Sequence, residues 1–216
     1  MTPRTCAISS AGPSAALKSE LLAPGMTVGL YGGSFDPPHP GHRHVAQTAL
    51  RRLGLDRVWW LPSPGNPFKP HAPTPLNSRI RAIDALAPEP RQVASDLEAR
   101  LRTNRTITLI RHLQTRHPRV RFIWVMGADG LAELHHWTAW REIVERVPLC
   151  IVARPRIGLK ARLSKAARMM ARHRVPEISA KGLTSRRRGW TYLTETLHPH
   201  QSRQLRGASP STEAAS

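Results

Sequence analysis

Apolar residues occur along the chain in two patterns that alternate with each other. Short, nearly continuous apolar runs end in glycine or proline, which is typical of buried strands. Between these runs, apolar residues recur every three or four positions, which is typical of helices that bury one face. The predicted strands are MTVGLYGG, RVWWLPS, the shorter QVASD, VRFIWVMGADG, PLCIVARP and GWTYL.

The stretches predicted as helices follow the strands in turn. They are the segment from His42 to Leu53, LNSRIRAIDALA, TITLIRHLQTRHP, LAELHHWTAWREIVERV, the basic KARLSKAARMMARHRV and a short QSRQLRGAS. This alternation predicts an α/β fold: a doubly wound, Rossmann-like parallel sheet with a small helical C-terminal portion. We expect one domain over residues 26–206, between a disordered N-terminal extension over 1–25 and a disordered tail over 207–216.

The loop after the first predicted strand is the most distinctive stretch of the chain. It reads GLYGGSFDPPHPGH and covers residues 29–42. Gly32 and Gly33 let a ligand approach the backbone closely, and N–H donors at the start of a helix suit bound phosphate. His39 and His42 are three residues apart, so both can face the helix start, where imidazole can donate to a phosphoryl oxygen. The loop therefore predicts a nucleoside triphosphate site, although it is neither a P-loop nor a G-x-G-x-x-G fingerprint.

The charge of the chain narrows the classes of partner. The formal net charge is +19, and residues 154–206 alone contain fourteen Lys or Arg and two acids. Such basicity indicates polyanionic partners: nucleotides, nucleic acid or an anionic membrane surface. We expect no membrane span and no signal peptide, because no apolar run is long enough. Cys6 and Cys150 show no metal-type spacing, so we expect a reducing, cytoplasmic location.

The segment GGSFDPPHPGH resembles G-G-[ST]-F-[ND]-P-x-H-x-G-H, the signature of a nucleotidyltransferase superfamily. That superfamily includes nicotinate-nucleotide adenylyltransferase, phosphopantetheine adenylyltransferase and the cytidylyltransferases. The resemblance implies transfer of a nucleotidyl group from a triphosphate to a phosphate acceptor, with release of pyrophosphate. It also implies that His39 and His42 contact the triphosphate and that Mg²⁺ is carried on the phosphates. The residues that it places at ATP are Gly32, Gly33, Ser34 and Phe35.

A second stretch, residues 121–155, resembles the middle of bacterial nicotinate-nucleotide adenylyltransferases, where strand-M-G-A-D precedes a helix with a prominent Trp. The resemblance places Ala128 and Asp129 at the nucleotide site and stacks Trp137 on the pyridine ring of nicotinate mononucleotide. An electron-poor ring packs well on an indole face. The alternative is that Trp137 is a packing residue of an amphipathic helix, which is the role expected for Trp140.

Three further segments resemble the same family less closely. Thr106 matches the start of a substrate-binding helix, although Arg105 replaces the usual Tyr and Leu109 the usual second Thr. Lys69, in the long loop after the second strand, would reach phosphate. Near the C-terminus, Ser202 and Arg206 match a Ser and an Arg that hold the triphosphate in the family, whereas Gln201 and Arg203 replace its other Ser and Thr.

Three functions remain as alternatives at this stage. The first is adenylyl transfer from ATP to nicotinate mononucleotide, which MGAD and the following Trp favour. The second keeps the reaction but changes the acceptor, for example to phosphopantetheine. The third is a basic nucleic-acid-binding protein on the same scaffold, although the aromatic residues are not interleaved with the basic clusters, and no specific nucleic-acid partner is expected. The preference for acid or amide pyridine stays open, and so does the oligomeric state, including a homo-oligomer.

Overall fold

A computed structural model of the protein describes residues 20–64, 73–154 and 157–194. Its strands are β1 Thr27–Gly33, β2 Arg57–Pro62, β3 Gln92–Ala94, β4 Arg121–Gly127, β5 Leu149–Val152 and β6 Trp190–Leu193. Its α-helices are α1 Pro40–Leu53, α2 Leu76–Leu86, α3 Leu97–Arg100, α4 Thr106–Arg116, α5 Ala128–Glu133, α6 Trp140–Arg146, α7 Gly158–Arg162 and α8 Lys165–Met169. Short 3₁₀ segments cover Leu134–His136, Ala171–His173 and Glu177–Ser185.

The strands form one sheet with the order β3-β2-β1-β4-β5-β6, and every neighbouring pair is parallel. The chain builds outward from β1 to β3 on one side and then restarts beside β1 with β4. This reversal creates a crevice at the carboxyl ends of β1 and β4, the place where open α/β sheets bind ligands. The predicted doubly wound α/β fold is confirmed.

The alternation of side chains along each strand divides the core into two layers. In β4, Phe122, Trp124 and Met126 point to the face covered by α4 to α8. Ile123 and Val125 point to the opposite face, which α1 and the 3₁₀ segment Glu177–Ser185 cover. Because both faces are buried, the strands read as continuous apolar runs rather than as alternating patterns.

The long helix predicted for LAELHHWTAWREIVERV is wrong in one respect, because the structure divides it. Helix α5 continues into a 3₁₀ turn and ends before Trp137, and α6 starts afresh at Trp140. Ala139 lies between them with φ 52°, a left-handed backbone that no continuous α-helix contains. The two halves pack on different neighbours, α5 on α7 and α8 and α6 on α4. The break sets Trp137 in a turn instead of on a helix face.

The N-terminal residues 20–25, which the sequence assigned to the extension, lie against the sheet. The Gly25 N–H donates to the Arg119 carbonyl at 2.8 Å, and Leu22 packs on the core. The predicted extension before residue 20, the tail over 207–216 and the short helix QSRQLRGAS lie outside the described residues. The predicted basic helix KARLSKAARMMARHRV is two short helices, α7 and α8, followed by a 3₁₀ turn.

Within the described ranges, no helix has both the length and the apolar character needed to cross a membrane.

The central position of Ile123 gives a test of the packing. The side chain is 1% exposed in the middle of β4, whereas Ile178 is 96% exposed. We expect Ile123→Ala to lower the free energy of unfolding by about 2–5 kcal/mol, because the truncated side chain leaves a cavity. Ile178→Ala, the matched control, should change it by less than about 0.5 kcal/mol. Urea unfolding of both variants is the measurement, and equal losses would contradict the assignment of the core.

Candidate active site

A cleft of about 1120 Å³ opens at the carboxyl edge of the sheet, beside the switch in strand order. Its walls come from the ends of β1 and β2, from the segment that leads into α4, and from the turn after α5. The lining residues are Gly32, Gly33, Ser34, Ser63, Glu98, Asn104, Arg105, Thr106, Trp124, Ala132, Glu133, His135, His136, Trp137, Thr138 and Lys160. The volume is large enough to hold a nucleotide-sized ligand.

The two glycines at the end of β1 are required by the aromatic rings around them. A Cβ added at Gly32 would lie 2.5 Å from a ring carbon of Trp124, and one at Gly33 would lie 2.9 Å from the Phe35 ring. Both distances are below any normal contact, so larger residues would displace an aromatic side chain. The glycines therefore let the rings pack directly on the backbone that forms the floor of the cleft.

Trp137 stands on the wall of the cleft and is positioned by Trp124. The two ring centroids are 6.1 Å apart, and the ring planes are inclined by 88°, an edge-to-face contact. Trp137 is half-buried against the core, and it also lines the cleft. One aromatic side chain is thus held in place by another while part of it stays open to a ligand.

His39 and His42 meet at the start of α1. Their ring centroids are 3.7 Å apart, and the side chains are only 1% and 9% exposed. The backbone N–H of His39, the N-cap residue, donates to Nδ1 of His42 at 3.3 Å. Because Nδ1 accepts this hydrogen bond, a neutral His42 carries its proton on Nε2. The fold therefore presents Nε2 of His42 as a hydrogen-bond donor.

The aromatic rings beneath the loop form a cluster that supports the histidines. Phe35 packs edge-to-face on His42 at 5.1 Å and on Tyr31 at 5.0 Å, and it contacts Trp60 at 5.1 Å. Its side chain is 1% exposed. Any contact of Phe35 with a phosphate would therefore have to come from its backbone, because its ring is part of the core.

Arg79 on α2 is a buried cation that ties the loops of the cleft together. Its guanidinium donates to the carbonyls of Thr74, Ser34 and Ser63 at 2.8, 2.7 and 2.9 Å. Its exposed fraction is 2%. Burial lowers the pKa of Arg79, and the nearby negative charge of Asp36 acts in the opposite direction. Sequence reasoning missed this residue, because an Arg in an amphipathic helix looks like a solvated one.

The ends of β1, β4 and β5 meet around a second cation, Arg154, whose side chain is 14% exposed. Its Nε lies 3.4 Å from the Asp129 carboxylate, and its Nη2 lies 3.5 Å from the Tyr31 hydroxyl. Although burial by itself lowers the pKa of Arg154, Tyr31 and Asp129 raise it, and the net shift is upward. A cation at this edge of the sheet suits a phosphate ligand. A basic residue directly after a buried strand was the signal in the sequence.

The charged side chains of the cleft are of both signs. Arg105 and Lys160 are exposed cations on its wall, and Glu133 is an exposed acid. Glu98 is different, because it is 5% exposed and burial raises its pKa to about 7. The sequence analysis did not single out Glu98.

The structure brings together only some of the predicted site residues. The cleft is lined by Gly32, Gly33, Ser34, Thr106 and Trp137. Five others are not among its lining residues: His39, His42, Phe35, Ala128 and Asp129. Ala128 is fully buried, and Asp129 is half exposed beside Arg154. Lys69, Ser202 and Arg206 lie outside the described residues.

The structure also bears on the expected metal ion. In the part of the chain that the structure describes, no three His, Cys, Asp or Glu side chains come close enough to hold one. The backbone N–H groups of Gly33 and Ser34 at the cleft suit phosphate oxygens.

The amino-acid sequence matches a known protein family. The sequence model of the family described as cytidylyltransferase-like matches residues 30–186. The protein therefore belongs to the cytidylyltransferase-like family of nucleotidyltransferases.

Its relatives are closely similar over nearly their whole length. A protein of Cereibacter sphaeroides named "Probable nicotinate-nucleotide adenylyltransferase" is 48% identical over 84% of this chain and 96% of its own. A protein of Ruegeria pomeroyi with the same name is 46% identical over 86% of this chain and 87% of its own. Among solved structures, the nicotinic acid mononucleotide adenylyltransferase of Plasmodium falciparum, complexed with NaAD, superposes with a TM-score of 0.65. That structure is 15% identical and covers 84% of this chain and 83% of its own, a likeness of fold alone.

The contacts of Arg79 give a testable prediction. In Arg79→Met three part-buried carbonyls lose their donor, so we expect the free energy of unfolding to fall by at least about 2 kcal/mol. We also expect a higher KM for ATP, because Ser34 and Ser63 are no longer tied together. Arg81→Met, an exposed position on the same helix, is the matched control and should cost less than about 0.5 kcal/mol. An Arg79→Met protein as stable as the wild type would show that the carbonyls do not depend on this guanidinium.

Proposed function

We propose that this protein transfers the adenylyl group of ATP to nicotinate mononucleotide and releases pyrophosphate. The observation that carries the proposal is that one cleft is lined both by Gly32, Gly33 and Ser34, from the loop over residues 29–42, and by Trp137. A triphosphate on the loop and a pyridine ring on Trp137 would then face each other across a single cavity. The names of the relatives from Cereibacter and Ruegeria agree with this reaction.

In the proposed reaction, a phosphate oxygen of nicotinate mononucleotide attacks the α-phosphorus of ATP. The bond between the α-phosphorus and the bridging oxygen of the β-phosphate breaks, and pyrophosphate leaves with that electron pair. The product is the dinucleotide, nicotinate adenine dinucleotide. No residue of the protein forms a covalent intermediate, so catalysis consists of positioning the two nucleotides and stabilising negative charge.

The residues of the loop divide this task. The backbone of Gly33 and Ser34 lies at the cleft, where N–H groups can bind phosphate oxygens. We propose that Nε2 of His42 donates to a phosphoryl oxygen as charge develops there, and that His39 holds the His42 ring by stacking. Arg154 supplies a permanent positive charge at the same edge of the sheet.

Mg²⁺ would enter on the phosphates of ATP, where it neutralises the charge of the leaving pyrophosphate. We propose a cytoplasmic setting, which the buried free thiol of Cys150 suits because such thiols persist in a reducing compartment.

Acceptor choice is the first test of this function. Pyrophosphate release from ATP and Mg²⁺ should be rapid with nicotinate mononucleotide and much slower with phosphopantetheine. Trp137→Ala should raise the KM for the acceptor about tenfold or more, since base–aromatic stacking contributes about 1–3 kcal/mol, and should leave the KM for ATP unchanged. Trp137→Phe, which keeps a ring, is the matched control and should retain most of the affinity. Folded protein that releases no pyrophosphate with either acceptor would refute the proposal and favour a nucleic-acid-binding role.

The donor role of His42 gives a separate prediction. We expect His42→Ala to lower kcat by about 10²–10³, the usual effect of removing one donor to a developing charge. His44→Ala is the matched control, because two residues along an α-helix rotate the side chain by about 200° away from His42. Its kcat should stay within about threefold of the wild type. Steady-state kinetics with thermal unfolding of both variants is the measurement, and near-normal turnover in His42→Ala would exclude this role.

A further inference from the structure

Helices α7 and α8 expose a group of apolar side chains to solvent. Leu159, Leu163 and Met169 are 73%, 59% and 41% exposed, whereas Ala161 is fully buried. Leu159 and Leu163 are each two residues from Ala161, a rotation of about 200° around the helix, so both point away from the protein. The two helices contact each other, and both pack on α5. Isolated exposed apolar residues are ordinary, but several on neighbouring helices are typical of an interaction surface.

The same two helices carry positive charge that no nearby acid compensates. The chain has six Lys or Arg and no Asp or Glu between residues 157 and 176. Of these cations, Lys165, Arg168 and Arg172 are exposed, and none of the three forms an ion pair with an acid in the described ranges. We call the exposed surface formed by these cations and the three apolar side chains the α7–α8 face; its members are Leu159, Leu163, Lys165, Arg168, Met169 and Arg172.

The types of side chain on the α7–α8 face distinguish between the polyanionic partners that the net charge allows. Proteins that bind single-stranded nucleic acid add aromatic side chains to their cations, because bases stack on them. Residues 157–176 contain no Phe, Trp or Tyr. Helices that lie on a membrane surface instead combine Lys and Arg with apolar side chains that enter the boundary between headgroups and acyl chains. The α7–α8 face has this second composition.

We propose that the α7–α8 face binds the surface of an anionic phospholipid bilayer. Lys165, Arg168 and Arg172 lie at the headgroups, and Leu159 and Leu163 enter the boundary of the acyl chains. Three cations and two leucines make this binding peripheral and reversible. The cytoplasmic leaflet is the anionic one, in agreement with the proposed cytoplasmic setting.

This inference goes beyond the proposed reaction and does not depend on it. None of the residues of the α7–α8 face is among those that line the cleft. Changes to the face should therefore leave pyrophosphate release in the absence of lipid unaltered.

The experiment is cosedimentation of the full chain with vesicles of phosphatidylcholine, made with and without phosphatidylglycerol. We expect the protein to sediment with the vesicles that contain phosphatidylglycerol and to remain in solution with phosphatidylcholine alone. The bound fraction should fall as salt is added, because salt screens the attraction between the cations and the headgroups.

Two triple variants of equal charge test whether the α7–α8 face is the site of binding. Replacing Lys165, Arg168 and Arg172 by Gln should weaken vesicle binding about 100-fold, since each cation near an anionic surface contributes roughly fivefold. The matched control replaces Lys181, Arg186 and Arg187 by Gln, all of which are exposed.

The control cations belong to the other side of the sheet. Lys181 lies in the 3₁₀ segment Glu177–Ser185, which packs on α1, and the two arginines follow that segment directly. At about 0.1 M salt the Debye length is about 10 Å, so cations this far from the bilayer should matter little. We expect the control variant to bind vesicles within about threefold of the wild type.

A second pair of variants tests the apolar contribution. Leu163→Gln should weaken vesicle binding about fivefold or more, because its side chain no longer leaves water on binding. Ile178→Gln is the matched control, since Ile178 is 96% exposed on the 3₁₀ segment at the other face, and it should bind as the wild type does.

The alternatives give different results. Equal losses in the two triple variants would show that vesicle binding follows net charge alone and would overturn the assignment of the face. Binding to a single-stranded RNA without binding to vesicles would overturn it in favour of nucleic acid. Self-association that Leu163→Gln abolishes, again without vesicle binding, would assign the face to a second copy of the chain. Circular dichroism and pyrophosphate release without lipid confirm that each variant is folded.

Discussion

The contact of the Trp124 indole with the backbone of Gly32 determines the geometry of the candidate site. A side chain at Gly32 would overlap the ring, so its absence is what lets the Trp124 indole pack over the end of β1. The same ring then supports Trp137 edge-to-face. One close contact thus connects the end of β1, where phosphate is proposed to bind, with the aromatic wall on which the pyridine ring is proposed to stack. Because protein interiors are close-packed, neither contact can change without moving the other.

Two buried charged residues at the cleft illustrate opposite solutions to the cost of burial. Arg79 is surrounded by three carbonyls that accept its hydrogen bonds, so its charge is compensated and it serves to hold the loops. Glu98 has an oxygen that no described residue satisfies, and the desolvation appears as a raised pKa. A fully paired buried charge is typical of structural support, whereas an incompletely paired acid is more readily protonated.

The sequence predicted the parts of the structure that depend on local pattern. The strands, the switch in their order and the loop between β1 and α1 follow from apolar periodicity and from glycine and proline positions, which act over a few residues. Trp137 and Thr106 were singled out through resemblance to a family, and both line the cleft. Arg79 and Glu98 were not found, because burial of a charged residue depends on which distant segments fold over it. In a helix that is otherwise amphipathic, such a residue has the same pattern as one in solvent.

The break between α5 and α6 shows the same limit and also its consequence. Apolar residues recur every three positions at Leu131, Leu134, Trp137 and Trp140, which is compatible with a helix, and the pattern contains no proline to interrupt it. What divides the segment is that its two halves pack on different helices, which is tertiary information. In a continuous helix, the position of Trp137 in the turn would have fixed the direction of its side chain. Because the helix is broken at Ala139, the backbone around Trp137 is not helical. The indole packs edge-to-face on Trp124, and part of it stays open to the cleft. The helix predicted from the sequence is therefore interrupted at Trp137, the residue for which a ligand contact is proposed. The left-handed backbone at Ala139 is a strained conformation that helps to position this side chain.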